Sequence, residues 1–145
     1  MHSGNANGGM QSMTWDAAQL AVTQAVTLAR SKFGSRPICV SICDAYGFLL
    51  AFGRMDGAPL RCINIAQQKA YTSVRMGSST AAFKQRLLQE GVTARDFCDA
   101  SLTPLPGGQA MRTATGTIIA GIGIGGLKPE EDDALASEIV ALVQR

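Results

Sequence analysis

The sequence predicts an α/β domain of the α+β kind, an antiparallel sheet flanked by helices. Three observations predict it. The stretch Gly116–Gly126 alternates almost strictly, with Ile118, Ala120, Ile122 and Ile124 on one side and Thr117, Ile119, Gly121, Gly123 and Gly125 on the other. That is the period of a β-strand. Two segments read as hairpins whose turns end in glycine, Asp44-Ala45-Tyr46-Gly47 and Thr113-Ala114-Thr115-Gly116. Before, between and after them lie stretches of helical period with cap residues at their ends.

In chain order, residues 1–13 are rich in Gly, Asn and Ser and have no period, so they read as a flexible tail; the only histidine, His2, lies there. Residues 14–145 read as one domain. Thr14 caps a helix that runs to about Lys32 and stops at Gly34, with an apolar face of Ala18, Ala21, Val22, Ala25, Leu28 and Ala29. Pro37 to Cys43 and Phe48 to Arg54 are the strands of the first hairpin. Cys62 to about Met76 is a helix ended by Gly77. Its inner face holds Cys62, Ile65, Ala66, Ala70 and Ser73, with Lys69 among them; Gln67, Gln68, Thr72 and Arg75 look outward.

Ser78-Ser79-Thr80 caps a helix from Ala81 to about Gln89, stopped at Gly91, and Thr93–Cys98 adds a short helical turn. Leu102–Gln109, with Pro104, Pro106 and Gly107-Gly108, is a loop. Gln109–Arg112 and Thr117–Gly125 form the second hairpin. Pro129 opens a C-terminal helix whose stripe is Leu135, Ile139, Leu142 and Val143. Its acidic start, Glu130-Glu131-Asp132-Asp133, suits the helix dipole and reads as solvated rather than as a metal cluster.

Glycine weakens a strand interior, so Gly121, Gly123 and Gly125 at alternate positions require a reason. A helix or a flat ligand lying close on that face supplies one. A P-loop is the weaker reading, because no Gly-Lys-Ser/Thr follows. The strands each carry one bulky and one small face. Cys39, Ser41 and Cys43 and Leu49, Ala51 and Gly53 are the small faces of the first hairpin, and their alignment with the glycines would make one smooth side of the sheet.

The 145 residues are 46% hydrophobic and 17% charged, as in ordinary globular chains. No apolar run is long enough for a membrane span and no signal segment opens the chain, so a cytoplasmic protein is expected. The net charge of +2 comes from scattered residues and argues against nucleic-acid binding. The four cysteines show no C-x-x-C spacing and read as reduced core residues.

Several segments together resemble the GlcG/HbpS-like family, which includes the C-terminal domain of PduO. They are Ser41–Gly47, Phe52–Ala58 with its Arg54-Met55-Asp56-Gly57-Ala58, Gln68–Thr72 with its Lys69-Ala70-x-Thr72, Pro106-Gly107-Gly108 and Gly121–Gly126. The similarity runs from about Thr14 to the C-terminus. It implies a profilin-like fold, assembly as a homo-oligomer, and a link to haem in some members, the family often being labelled haem-degrading. It also implies proximity to glycolate, propanediol and glycerol metabolism, including cobalamin-dependent dehydratases.

Three functions follow as alternatives. The first is an accessory protein that binds a small anionic molecule or haem, using Arg54, Asp56, Lys69, Gly107 and Gly108; the two cations suit carboxylates, including haem propionates. Haem iron takes His, Cys, Met or Tyr ligands. The folded part has no histidine, which leaves Cys39, Cys43, Met55, Met111 and Tyr71, or His2 from the tail. The second is an enzyme on a small metabolite with Lys69 as base or nucleophile. The third is a structural partner of a dehydratase system, in which Arg54 and Asp56 form a salt bridge that holds a turn. Lys69 on an inner face needs Asp56, a backbone carbonyl, a bound anion or escape to solvent at a subunit boundary to offset its charge, and a groove shared with Arg54 is expected. No metal site is expected.

Overall fold

The computed structural model describes residues 12–144. Helix α1 (Trp15–Lys32) leads into strands β1 (Cys39–Asp44) and β2 (Leu49–Arg54). Helices α2 (Cys62–Met76) and α3 (Thr80–Glu90) follow, then a 3-10 turn over Ala94–Phe97. Strands β3 (Gly108–Arg112) and β4 (Ile118–Gly125) and helix α4 (Pro129–Val143) complete the chain. The strands form one antiparallel sheet in the order β2-β1-β4-β3. The predicted α+β architecture is the observed one.

Local chemistry fixes the ends. The Thr14 hydroxyl accepts from Ala17 N and the Ser79 hydroxyl from Ala82 N, while Gly77 and Gly91 close α2 and α3 in the left-handed conformation. In the first hairpin Asp44 Oδ1 accepts from Tyr46 N and Phe48 N, and Gly47 takes φ +96°.

The main core lies between the sheet and the pair α1 and α4. Val40, Ile42, Ile122 and Ile124 meet Ala18, Ala21 and Ala25 of α1 and Leu135, Ala136 and Ile139 of α4 there. On the opposite face α2 lies almost on the backbone of β4. A Cβ on Gly123 would fall on the Ala66 carbonyl, and one on Gly121 would stand 2.6 Å from Ala70 O. The alternate glycines are therefore the bed of a helix.

Four expectations are corrected. The small faces do not all align: Ser41 pairs with Gly123 on one side and Phe52 on the other, and Val40 pairs with Gly53. Ala51 and Gly53 consequently face α1, where a Cβ on Gly53 would meet Val22 Cγ1 at 2.7 Å. A register shift between Ile42 and Cys43 lies in this hairpin, and register decides the face of every side chain. Thr72 is fully buried instead of outward, because the loop after the 3-10 turn folds over α2 and Thr103 N donates to its hydroxyl at 3.0 Å. Cys98 is exposed, unlike the other three cysteines. Ser12 and Met13, read as tail, are tied to the sheet: Met13 N donates to Ile119 O, and Ser12 Oγ accepts from Ala45 N. The rest of that tail, with His2, lies outside the described residues.

Candidate functional site: the Lys69–Asp132 cavity

Lys69 sits on the inner face of α2, and its stem runs past the end of β4. Its Nζ donates to Ile124 O at 2.6 Å and to Asp132 Oδ2 at 3.1 Å. Both side chains of the ion pair are 3% exposed. The other carboxylate oxygen of Asp132 accepts from Leu127 N at 3.1 Å. One buried carboxylate thus holds the ammonium of α2 and the chain entering α4, beside a β4 carbonyl. Burial pushes the Asp132 carboxyl up to about 6, and the Lys69 ammonium offsets only part of that.

The glycines 107 and 108 are packed against this pair. A Cβ on Gly107 would stand 2.8 Å from both Lys69 Nζ and Ile124 O, and Gly107 has φ +127°. A Cβ on Gly108 would strike the Lys69 carbonyl, and Gly108 N donates to Thr80 Oγ1 at 2.9 Å. The structure thus brings Lys69, Gly107 and Gly108 together. It leaves Arg54 and Asp56 apart: both are exposed, and among the described residues neither joins an ion pair. Arg54 is at the same end of the sheet but on the outer strand, two strands from Gly125.

A cavity of about 240 Å³ opens beside the ion pair, walled by Arg61, Cys62, Ile65, Lys69, Leu105 and Asp132 among others. Cys62 begins α2 and Pro129, also on the wall, begins α4. The positive ends of two helices therefore border it. A larger cavity of about 480 Å³ lies elsewhere, along Ala94–Leu102. We place the site at the smaller one, because among the described residues the one buried charge pair forms part of its wall.

Asp132 escaped the sequence reading, which took the acidic run as solvated. The signal that finds it is helical phase: Asp132, Leu135, Ala136 and Ile139 follow the i, i+3, i+4, i+7 spacing and are all buried. The other acids of that run are spent at the surface. Glu131 pairs with Arg36, and Asp133 accepts from Gln109.

A four-stranded antiparallel sheet flanked by helices, with a buried Lys–Asp pair beside a small cavity, defines an α+β domain with one candidate site. The chain belongs to the HbpS-like family, described as haem degrading protein HbpS-like, which matches residues 13–141. Among solved structures it is similar to a double mutant of Streptomyces reticuli HbpS, with a TM-score of 0.85 and 29% identity, covering 100% of this chain and 95% of that one. It is similar to PduOC in a haem complex, with a TM-score of 0.75 and 27% identity, covering 90% and 94%. Klebsiella pneumoniae ORFY shares the fold at a TM-score of 0.82 and 21% identity, covering 93% and 92%. No curated protein matches the sequence significantly.

Proposed function

We propose that this protein is a cytoplasmic, ligand-binding accessory member of the HbpS-like family, and that the Lys69 cavity takes a small anion. The observation that carries this is the Lys69 ammonium, buried on the wall of a cavity that also presents Arg61 and two helix N-termini. A volume of about 240 Å³ lies below the usual range for drug-sized ligands, roughly 300–1,000 Å³. It suits a carboxylate of a few heavy atoms. Glycolate has that size and charge, which agrees with the metabolic setting that the family resemblance implies. Lys69 donates to two acceptors, so its role here is to hold charge, and the base or nucleophile reading has no free amine to support it.

Haem is the second reading, favoured by a haem-complexed relative at 27% identity. Among the axial-ligand types the described residues offer it one in this cavity, Cys62, whose thiol is pushed up by burial. They contain no histidine; Cys39, Cys43 and Met111 are sealed in the core; Met55 Sδ accepts from Ile38 N; Tyr71 donates to Asp99 at 2.6 Å.

Calorimetric titration with acetate, glycolate and inorganic phosphate, beside a spectroscopic titration with haemin, separates the readings. Saturable binding of a small anion is expected, weakened in Arg61→Gln and blocked in Leu105→Trp, which fills the cavity mouth. Absence of anion binding together with a saturating Soret shift would transfer the function to haem. Absence of both would leave the structural-partner reading.

A further inference from the structure

A second chemistry lies on the same side of α2, between the helix and the sheet. Cys39 of β1 is directly opposite Gly125 of β4. Facing residues on one side of an antiparallel pair hold their Cβ positions about 4.5–5.5 Å apart. The Cβ that Gly125 lacks would stand 3.3 Å from Cys62 Cβ and 3.5 Å from Cys62 Sγ. Cys39 and Cys62 pack in one small cluster with Ala58 and Ala66. Gly125 thus lies next to both cysteines, opposite Cys39 in the sheet and beneath Cys62 of α2.

We propose that Cys39 and Cys62 form a thiol–disulfide couple that closes over Gly125 when hydrogen peroxide reaches the protein. Cys62 is the entry point, because it lines the cavity at the start of α2 while Cys39 is fully buried. In the first step the Cys62 thiolate attacks one peroxide oxygen and the O–O bond breaks. The sulfur is oxidised to a sulfenic acid, and the departing hydroxide takes up a proton to become water. In the second step Cys39 sulfur attacks Cys62 sulfur, the S–OH bond breaks, and that hydroxide leaves as water with the Cys39 proton. Two thiols and one peroxide thus give one disulfide and two waters. Disulfide geometry asks for Cβ atoms about 3.5–4.5 Å apart, so the bond forms when the first turn of α2 brings Cys62 within that reach of Cys39. The cap residue of that turn, Arg61, makes no side-chain capping hydrogen bond that would hold it back. Burial pushes both thiols up, Cys39 to about 11, so loss of the Cys62 proton precedes attack and makes the first step slow. The bond would staple the start of α2, and one wall of the cavity, to the sheet.

The test uses the full chain carrying Cys98→Ser, which removes the exposed thiol. Three thiols then titrate in the unfolded reduced protein. After peroxide treatment of the folded protein, one is expected, with a peptide joining Cys39 to Cys62 that has lost two hydrogen atoms and regains them with dithiothreitol. Adding Cys39→Ser should abolish that peptide. Three thiols still titrating after peroxide, a bridge that includes Cys43, or Cys62 carried to sulfinic acid with Cys39 free would each overturn the proposal.

Discussion

Take the ammonium away from Lys69 and the Asp132 carboxylate is left buried with only Leu127 N as a donor. Removing one partner of a buried ion pair typically costs about 3–5 kcal/mol, because the other charge stays uncompensated. Lys69→Met should therefore lower unfolding stability by that amount in urea titrations, and Lys69→Met with Asp132→Leu should recover much of it. A loss near zero in the single variant would mean that the pair is open to water. Asp132 also gives stability a pH signature. In the fold it keeps its proton up to about 6, against an ordinary 3.8. Between those values the native state binds more protons than the unfolded chain, so the contribution of Asp132 weakens the fold as pH rises through the window. Asp99 and Glu131 are held below their ordinary range by Tyr71 and Arg36, and act in the opposite sense. Asp132→Asn removes only the first effect. Its stability relative to the natural sequence should rise between pH about 4 and about 7, read from urea midpoints; a flat difference would contradict it.

At the scale of elements, the distance between α2 and β4 is set by glycine. Gly123→Ala places a methyl group on the Ala66 carbonyl and 2.7 Å from Ala70 N, both backbone atoms that cannot turn aside. Gly53→Ala meets only the Val22 side chain within 3 Å, on the other face. Overpacking costs about 1–3 kcal/mol, and Gly123→Ala should stand at or above the top of that range with Gly53→Ala well below it. Equal melting temperatures for the two variants would refute the packing argument. The bed of glycines was legible because the strand period exposes it in the sequence, and helix ends were legible because Thr14, Ser79, Gly77 and Gly91 carry their own caps. The side taken by Ala51 and Gly53 was not, since register, which sequence alternation leaves open, decides it. The partner of Lys69 was not legible either: Asp132 is 63 residues away, and only the docking of α4 brings it in.

For the whole molecule, β2 is an outer strand; Phe48 just before it and Leu49 at its start are 67% and 55% exposed, with Tyr46 in the turn at 49%. An apolar hairpin at a sheet edge invites pairing with another chain, which fits the homo-oligomer that the family resemblance implies. Phe48→Glu should lower the mass seen by light scattering without unfolding the protein; a monomeric natural protein would overturn this.

An anion in the cavity and the proton on Asp132 should be coupled. An anion beside Lys69 and Arg61 is repelled by ionised Asp132, so binding should favour the neutral carboxyl and draw in a proton. Acetate titrations on either side of pH about 6, in buffers of different ionisation heat, measure this directly. The predicted result is tighter binding on the acid side with proton uptake, both lost in Asp132→Asn. Binding of equal strength on both sides, with no proton taken up, would contradict it.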